Sequence, residues 1–321
     1  MIDFRYHLVS IVSIFLALAV GIVLGAGPLQ GQIGNTLTSE ITQLRQDKSS
    51  LRSEVTSLNK VITDQDQYAQ ASLGRVISGV TSGRGIAVVA LPGIDNDSVN
   101  VVTSAVGLAG GTVASVTKIQ ASWLAADSQN ARDDLAAHLA PSLRVTSGSS
   151  SAQPPSLADR VLAAALTSRS GTGTGVGQEA ARAALASLVS GKFVDVDTKN
   201  AVTAQLVIVL GVPLTGSTPA AQQAAATAWT RLAQAFDAAS AGSVVATINP
   251  SGGAPTGSTS VVASVRKDAA AAQAVSTVDD AERPMGVASI FLALAQQESG
   301  VTGHYGEADG ASAPYAPMPK S

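Results

Sequence analysis

Few side chains in this 321-residue chain have the type or spacing for chemistry. Thioethers hold soft metal ions and imidazoles hold borderline ones. His138, His304 and Met285 are therefore the candidate metal ligands. Met285 and Met318 are the only methionines after the initiator and stand apart in sequence. His138 follows Asp134 by four residues in ARDDLAAHLA. On a helix that spacing reads as a surface pair before it reads as a catalytic dyad. His304 sits beside Tyr305, near Glu307 and Asp309, in a stretch with the composition of a solvated tail. There is no cysteine, which excludes disulfides, thiolate metal sites and cysteine nucleophiles. No Ser-His-Asp set is assembled. The chain reads as a non-enzyme without a resident cofactor.

Two acidic clusters remain, Asp95-Asn96-Asp97 and Asp279-Asp280-Ala281-Glu282-Arg283. Each follows an expected strand. In a parallel sheet both would open on the carboxyl edge, where ligands bind. Helix capping explains them more simply, through Asp97 or Ser98 before Val99 and through Glu282 near the helix that begins at Met285. The glycine-rich stretch 171–177 lacks G-x-G-x-x-G spacing and follows a helix instead of a strand. Gly252-Gly253 has no phosphate-binding lysine nearby. Nucleotide binding is not expected. The net charge of −3 gives no nucleic-acid footprint.

The elements that would position these residues begin after Gly83. Short apolar runs at 86–91, 112–117, 205–210, 243–248 and 274–278 read as buried strands. Helical patterns at 99–108, 219–241 and 285–297 alternate with them. The alternation predicts an α/β fold, a Rossmann-like parallel sheet over 84–298. Stretches 147–155 and 170–177 have linker composition. With helices at 157–166 and 179–189 they suggest a helical insertion over about 147–200. The residues 299–321 read as a disordered tail.

The N-terminal part is of another kind. From 8 to 26 no side chain is charged, a run of roughly 28 Å as a helix, close to a bilayer's hydrocarbon thickness. Phe4 and Tyr6 precede it at an interfacial position. A cleaved signal peptide would have a shorter apolar core and a better small-x-small site than Leu24-Gly25-Ala26. The 1–27 segment is read as a transmembrane anchor. Arg5 precedes the span and the next basic residue is Arg45, which keeps the N-terminus cytoplasmic and the bulk of the chain outside.

Residues 28–80 read as a coiled-coil stalk, with a hinge at Gly27-Pro28 and Gly31. With Ile41 at position a, Lys48, Val55 and Ile62 follow at a, and Leu37, Leu44, Leu51 and Leu58 occupy d. β-Branched a and leucine d positions favour a parallel homodimer. Glu40 would meet Arg45, and Asp47 would meet Arg52, across the seam. The competing reading is an amphipathic helix folded onto its own domain.

The opening FRYHLVSIVSIFLALAVGIVLG, the stalk and the late segment STVDDAERPMGVASIFLALA together resemble the actinobacterial family named for mycobacterial copper transport protein B, MctB. The resemblance implies a cell-envelope protein in copper transport or homeostasis, with copper as the transported ion. A corynebacterial relative of similar architecture, SteB, implies an alternative. That alternative is a non-enzymatic dimeric scaffold that partners division proteins and influences peptidoglycan hydrolysis.

Overall fold

The computed structural model describes residues 4–26, 28–146, 154–169, 177–214, 218–249 and 259–318. The expected linkers 147–155 and 170–177 lie almost wholly outside the described residues, as do Gly27 and Gly252-Gly253. The chain divides into two compact units, 1–65 and 66–321.

The first unit is helical. Helix α1, Phe4–Ala26, carries leucine, isoleucine, valine and phenylalanine on every side. Its side chains are exposed, as in Leu16 at 66% and Val23 at 72%. A helix apolar all round needs an apolar surrounding. Helix α2, Pro28–Val76, opens on proline, whose missing N–H is no loss in a first turn. The expected hinge residue Pro28 is thus the first residue of a helix. All eight heptad residues from Leu37 to Ile62 are exposed. Lys60 and Asp64 pair one turn apart at 3.0 Å.

The second unit is built on a seven-stranded sheet. Its strands are β1 Gly85–Ala90, β2 Thr112–Ile119, β3 Val194–Val196, β4 Leu206–Gly211, β5 Gly242–Thr247, β6 Ser276–Val278 and β7 His304–Tyr305. The order is β3-β2-β1-β4-β5-β6-β7. All pairs are parallel except β2 with β3. The winding direction reverses between β1 and β4, as in doubly wound sheets.

Alternate residues of each central strand serve opposite cores. Ala87, Val89, Val207, Val209 and Val245 face one core. That core is closed by α4 Gln129–Leu139, α5 Leu157–Leu166, α6 Gln178–Ser190, α7 Pro219–Ala239, α8 Val261–Lys267 and α9 Ala269–Ala274. Ile86, Val88, Leu206, Ile208 and Val244 face the other, closed by α3 Asn96–Leu108, α10 Pro284–Glu298 and Leu73 of α2. The middle helices α5 and α6 are part of the first layer; Leu162, Leu166 and Leu188 have no exposed surface. Ser156 and Asp159 form a reciprocal capping box that starts α5. Asp159 also accepts from Trp123 Nε1 at 3.3 Å.

The tail expected from Ser299 onward to be without order instead supplies β7. It pairs Thr277 with His304 and Val278 with Tyr305. Tyr305 and Ala316 are buried. Composition missed this because the ordering comes from a distant arginine, described below. Replacing Leu162 by alanine is expected to cost about 2–5 kcal/mol, the range for deleting a fully enclosed leucine. Urea denaturation of the variant against wild type measures it.

Candidate functional site

Both acidic clusters lie on the carboxyl edge of the parallel strands, as expected, but their chemistry differs. Asp95 caps α3: its Oδ1 accepts from the Ser98 backbone N–H at 2.7 Å and its Oδ2 from the Ser98 hydroxyl at 2.9 Å. The Ser98 backbone bond, then the hydroxyl, hold its carboxyl below the ordinary value. Asp97 and Ser98 were the expected caps; the cap residue is Asp95, and Asp97 lies in the first turn.

The second cluster does not cap. The N-cap of α10 is Arg283, with no side-chain cap bond. Glu282 turns away and accepts from the Asn249 backbone N–H at 2.9 Å. Asp279 sits at the end of β6 and pairs with Arg266 of α8 at 2.6 Å, both almost fully buried. The Asp279 Oδ1 accepts from the N–H groups of Glu307 and Ala308 at 2.7 and 3.1 Å. Arg266 further donates to Thr277 Oγ1 at 2.9 Å and to the Tyr305 carbonyl at 2.7 Å. Gly306, at φ +122°, makes the turn; a Cβ there would strike the Asp279 carboxyl.

These groups border a cleft of about 400 Å³. Its walls include Gln223, Thr247, Asn249, Ser264, Lys267 and Asp309. Thr247 Oγ1 and Asn249 Oδ1 are buried and have no hydrogen-bond partner among the described residues. Asn249 Nδ2 donates to the Asp279 carbonyl at 3.1 Å, which fixes the amide's orientation. Sequence reasoning missed Arg266, Thr247 and Asn249. The one local signal was an arginine inside the apolar run VVASVRK.

The candidate metal ligands do not converge. Among the described residues no three His, Cys, Asp or Glu side chains are grouped to hold a metal. His138 is exposed on α4, as is Asp134. His304 is half-buried, not solvated: its Nδ1 meets Thr277 Oγ1 at 2.9 Å and its Nε2 meets the Ala272 carbonyl at 3.1 Å. A carbonyl only accepts, so Nε2 carries the proton and Nδ1 accepts from the hydroxyl. Both nitrogens are spent. Burial, then nearby Arg266, lower its pKa. Met285 stands in the first turn of α10 and lines a groove of about 250 Å³ together with Met318. The two methionines, distant in sequence, are thus brought to one place.

Asp280 is the titrating group of the edge. Burial first, then the Asp279 and Glu282 carboxylates, push it up to about 7. Burial likewise raises Glu282. An acid raised in the folded state contributes stability that is fully present below its ordinary value, 3.8, and lost as pH rises through about 7. The melting temperature is expected to fall over that window. Asp280→Asn flattens the fall; an unchanged slope in a pH series of thermal melts would refute the assignment.

A family model described as "Copper transport outer membrane protein, MctB" matches residues 1–316. A Mycobacterium tuberculosis H37Rv protein named copper transporter MctB is 28% identical over 315 residues, 97% of this chain and 98% of that protein. A Mycobacterium leprae protein of the same name is 29% identical over 326 residues, 99% of this chain and all of the relative. The match runs from the apolar helix through the sheet to the ordered C-terminal segment, and the chain belongs to the MctB family.

Proposed function

We propose that this chain acts in copper transport at the cell envelope, tied to a membrane by α1. The observation that carries this is the family match over 1–316, with relatives named copper transporters. Helix α1 supports it: Phe4–Gly25 is long and apolar enough to cross a bilayer, with none of it buried in protein. Arg5 before the span argues for a cytoplasmic N-terminus and a single pass. The role is one of binding and transport, not catalysis. The division-scaffold alternative gains nothing from the relatives' names.

One apolar helix has no lumen, so passage of an ion requires association. The exposed heptad residues supply a means. Leu37, Ile41, Leu44, Lys48, Leu51, Val55, Leu58 and Ile62 are exposed along α2 among the described residues, and a second copy in parallel register would bury them. Lys48 at an a position would fix that register.

Deleting the gene from its host is expected to alter cell copper content and copper sensitivity, both restored by the wild-type gene. Unchanged content by elemental analysis would overturn the reading. The stalk is tested separately with Leu51→Asp and Leu58→Asp combined. Four leucines leave the dimer seam, at about 2 kcal/mol each, so association should weaken by more than about a thousandfold. Sedimentation of detergent-solubilised full chain would read as monomer. A dimer as tight as wild type would dismiss the seam.

A further inference from the structure

We propose that Met285 and Met318 together form a copper(I) site on the second unit. The inference rests on the copper reading above and names the oxidation state and the ligands. The full sequence has three methionines, one of them the initiator. The other two line a single groove, with Leu73 and Val76 of α2, Leu292 of α10, and Tyr315.

The groove is held together by identifiable bonds. The Ala316 N–H donates to Ser289 Oγ of α10 at 3.2 Å. Gln296 Nε2, further along the same helix, donates to the Pro317 carbonyl at 3.2 Å. Ala316 is 2% exposed. The segment that carries Met318 is therefore pinned against the helix that carries Met285. Pro284 at the start of that helix fixes the backbone just before Met285.

The chemistry selects the ion. Methionines used as core filler are buried; these are 39% and 62% exposed. Among the described residues no carboxylate or imidazole lines the groove, and its oxygen donors are the neutral hydroxyls of Ser72, Ser289 and Tyr315, so hard and borderline cations find no anionic or imidazole ligand there. Thioethers are soft and neutral and favour copper(I). An apolar wall disfavours the more highly charged copper(II). Two neutral ligands hold an ion loosely, which suits cargo that must be released.

The test uses the full chain in detergent with ¹³C-methyl-labelled methionine, titrated anaerobically with copper(I) buffered by a chelator. Two of the three methyl signals are expected to move together and saturate at one ion per chain. Met285→Leu or Met318→Leu, near-isosteric changes that leave the fold intact, should each weaken binding by at least about tenfold, since even outer-sphere partners cost that much. Zinc(II) should move neither signal. Unmoved methyls, or a double leucine variant that binds like wild type, would overturn the site. Those results leave the transport reading standing if gene deletion still alters cell copper. Normal copper in the deletion strain with responsive methyls would remove the transport reading and keep the site.

Discussion

Every residue of β1, β4 and β5 is buried. That constraint governs the second unit. A sheet apolar on both faces needs cover on both faces, and parallel crossovers deliver it with helices alternating between sides. The face covered by α4 to α9 uses Ala87, Val89 and Val207; the opposite face uses Ile86, Val88 and Ile208. With both faces sealed, the carboxyl edge is where polar side chains of the central strands collect. Thr247, Asn249 and Asp279 stand there and line the cleft, with buried Asp280 next in sequence.

The edge is closed by one buried ion pair. Removing a carboxylate from water is costly unless it is paired and fully hydrogen-bonded. Asp279 meets that condition with Arg266 and two backbone N–H groups. The same guanidinium also reaches the carbonyls of Tyr305 and Ala308. Satisfying one buried charge therefore fixes α8, β6 and the segment after β7 in a single arrangement. The glycine at 306 is what lets the chain turn tightly enough to do so.

This explains which features the sequence disclosed. Five strands were legible because short buried apolar runs carry their own signature; 157–166 was legible as a helical pattern between two stretches of linker composition, and Ser156 and Asp159 cap it in the structure. β3 was not, since VDV is three residues on an antiparallel edge. β7 was not, since its two residues are strand only through β6 and Arg266, far away in sequence. Helices α8 and α9 are too short to show periodicity. The acidic loop 279–283 was placed on the correct edge but given the wrong task for Glu282, because the competing donor, the Asn249 N–H, comes from another strand. The heptads were legible as a pattern, and a single chain leaves them exposed.

The second unit thus presents two surfaces of opposite chemistry. The carboxyl edge is rich in oxygen, with Asp280 held near neutrality and Glu282 raised by burial. The groove beside α10 is apolar and carries both thioethers. The two surfaces offer donors suited to different oxidation states of copper. Copper(II) seeks imidazole and oxygen, yet His304 has spent both nitrogens within the fold and Asp279 is neutralised by Arg266. Arg266, Asp279 and His304 are therefore committed to holding the sheet together. Copper(I) needs neither charge nor imidazole. Met285 and Met318 are both exposed residues, and in a chain without cysteine they are the two thioethers besides the initiator's that can serve as soft donors.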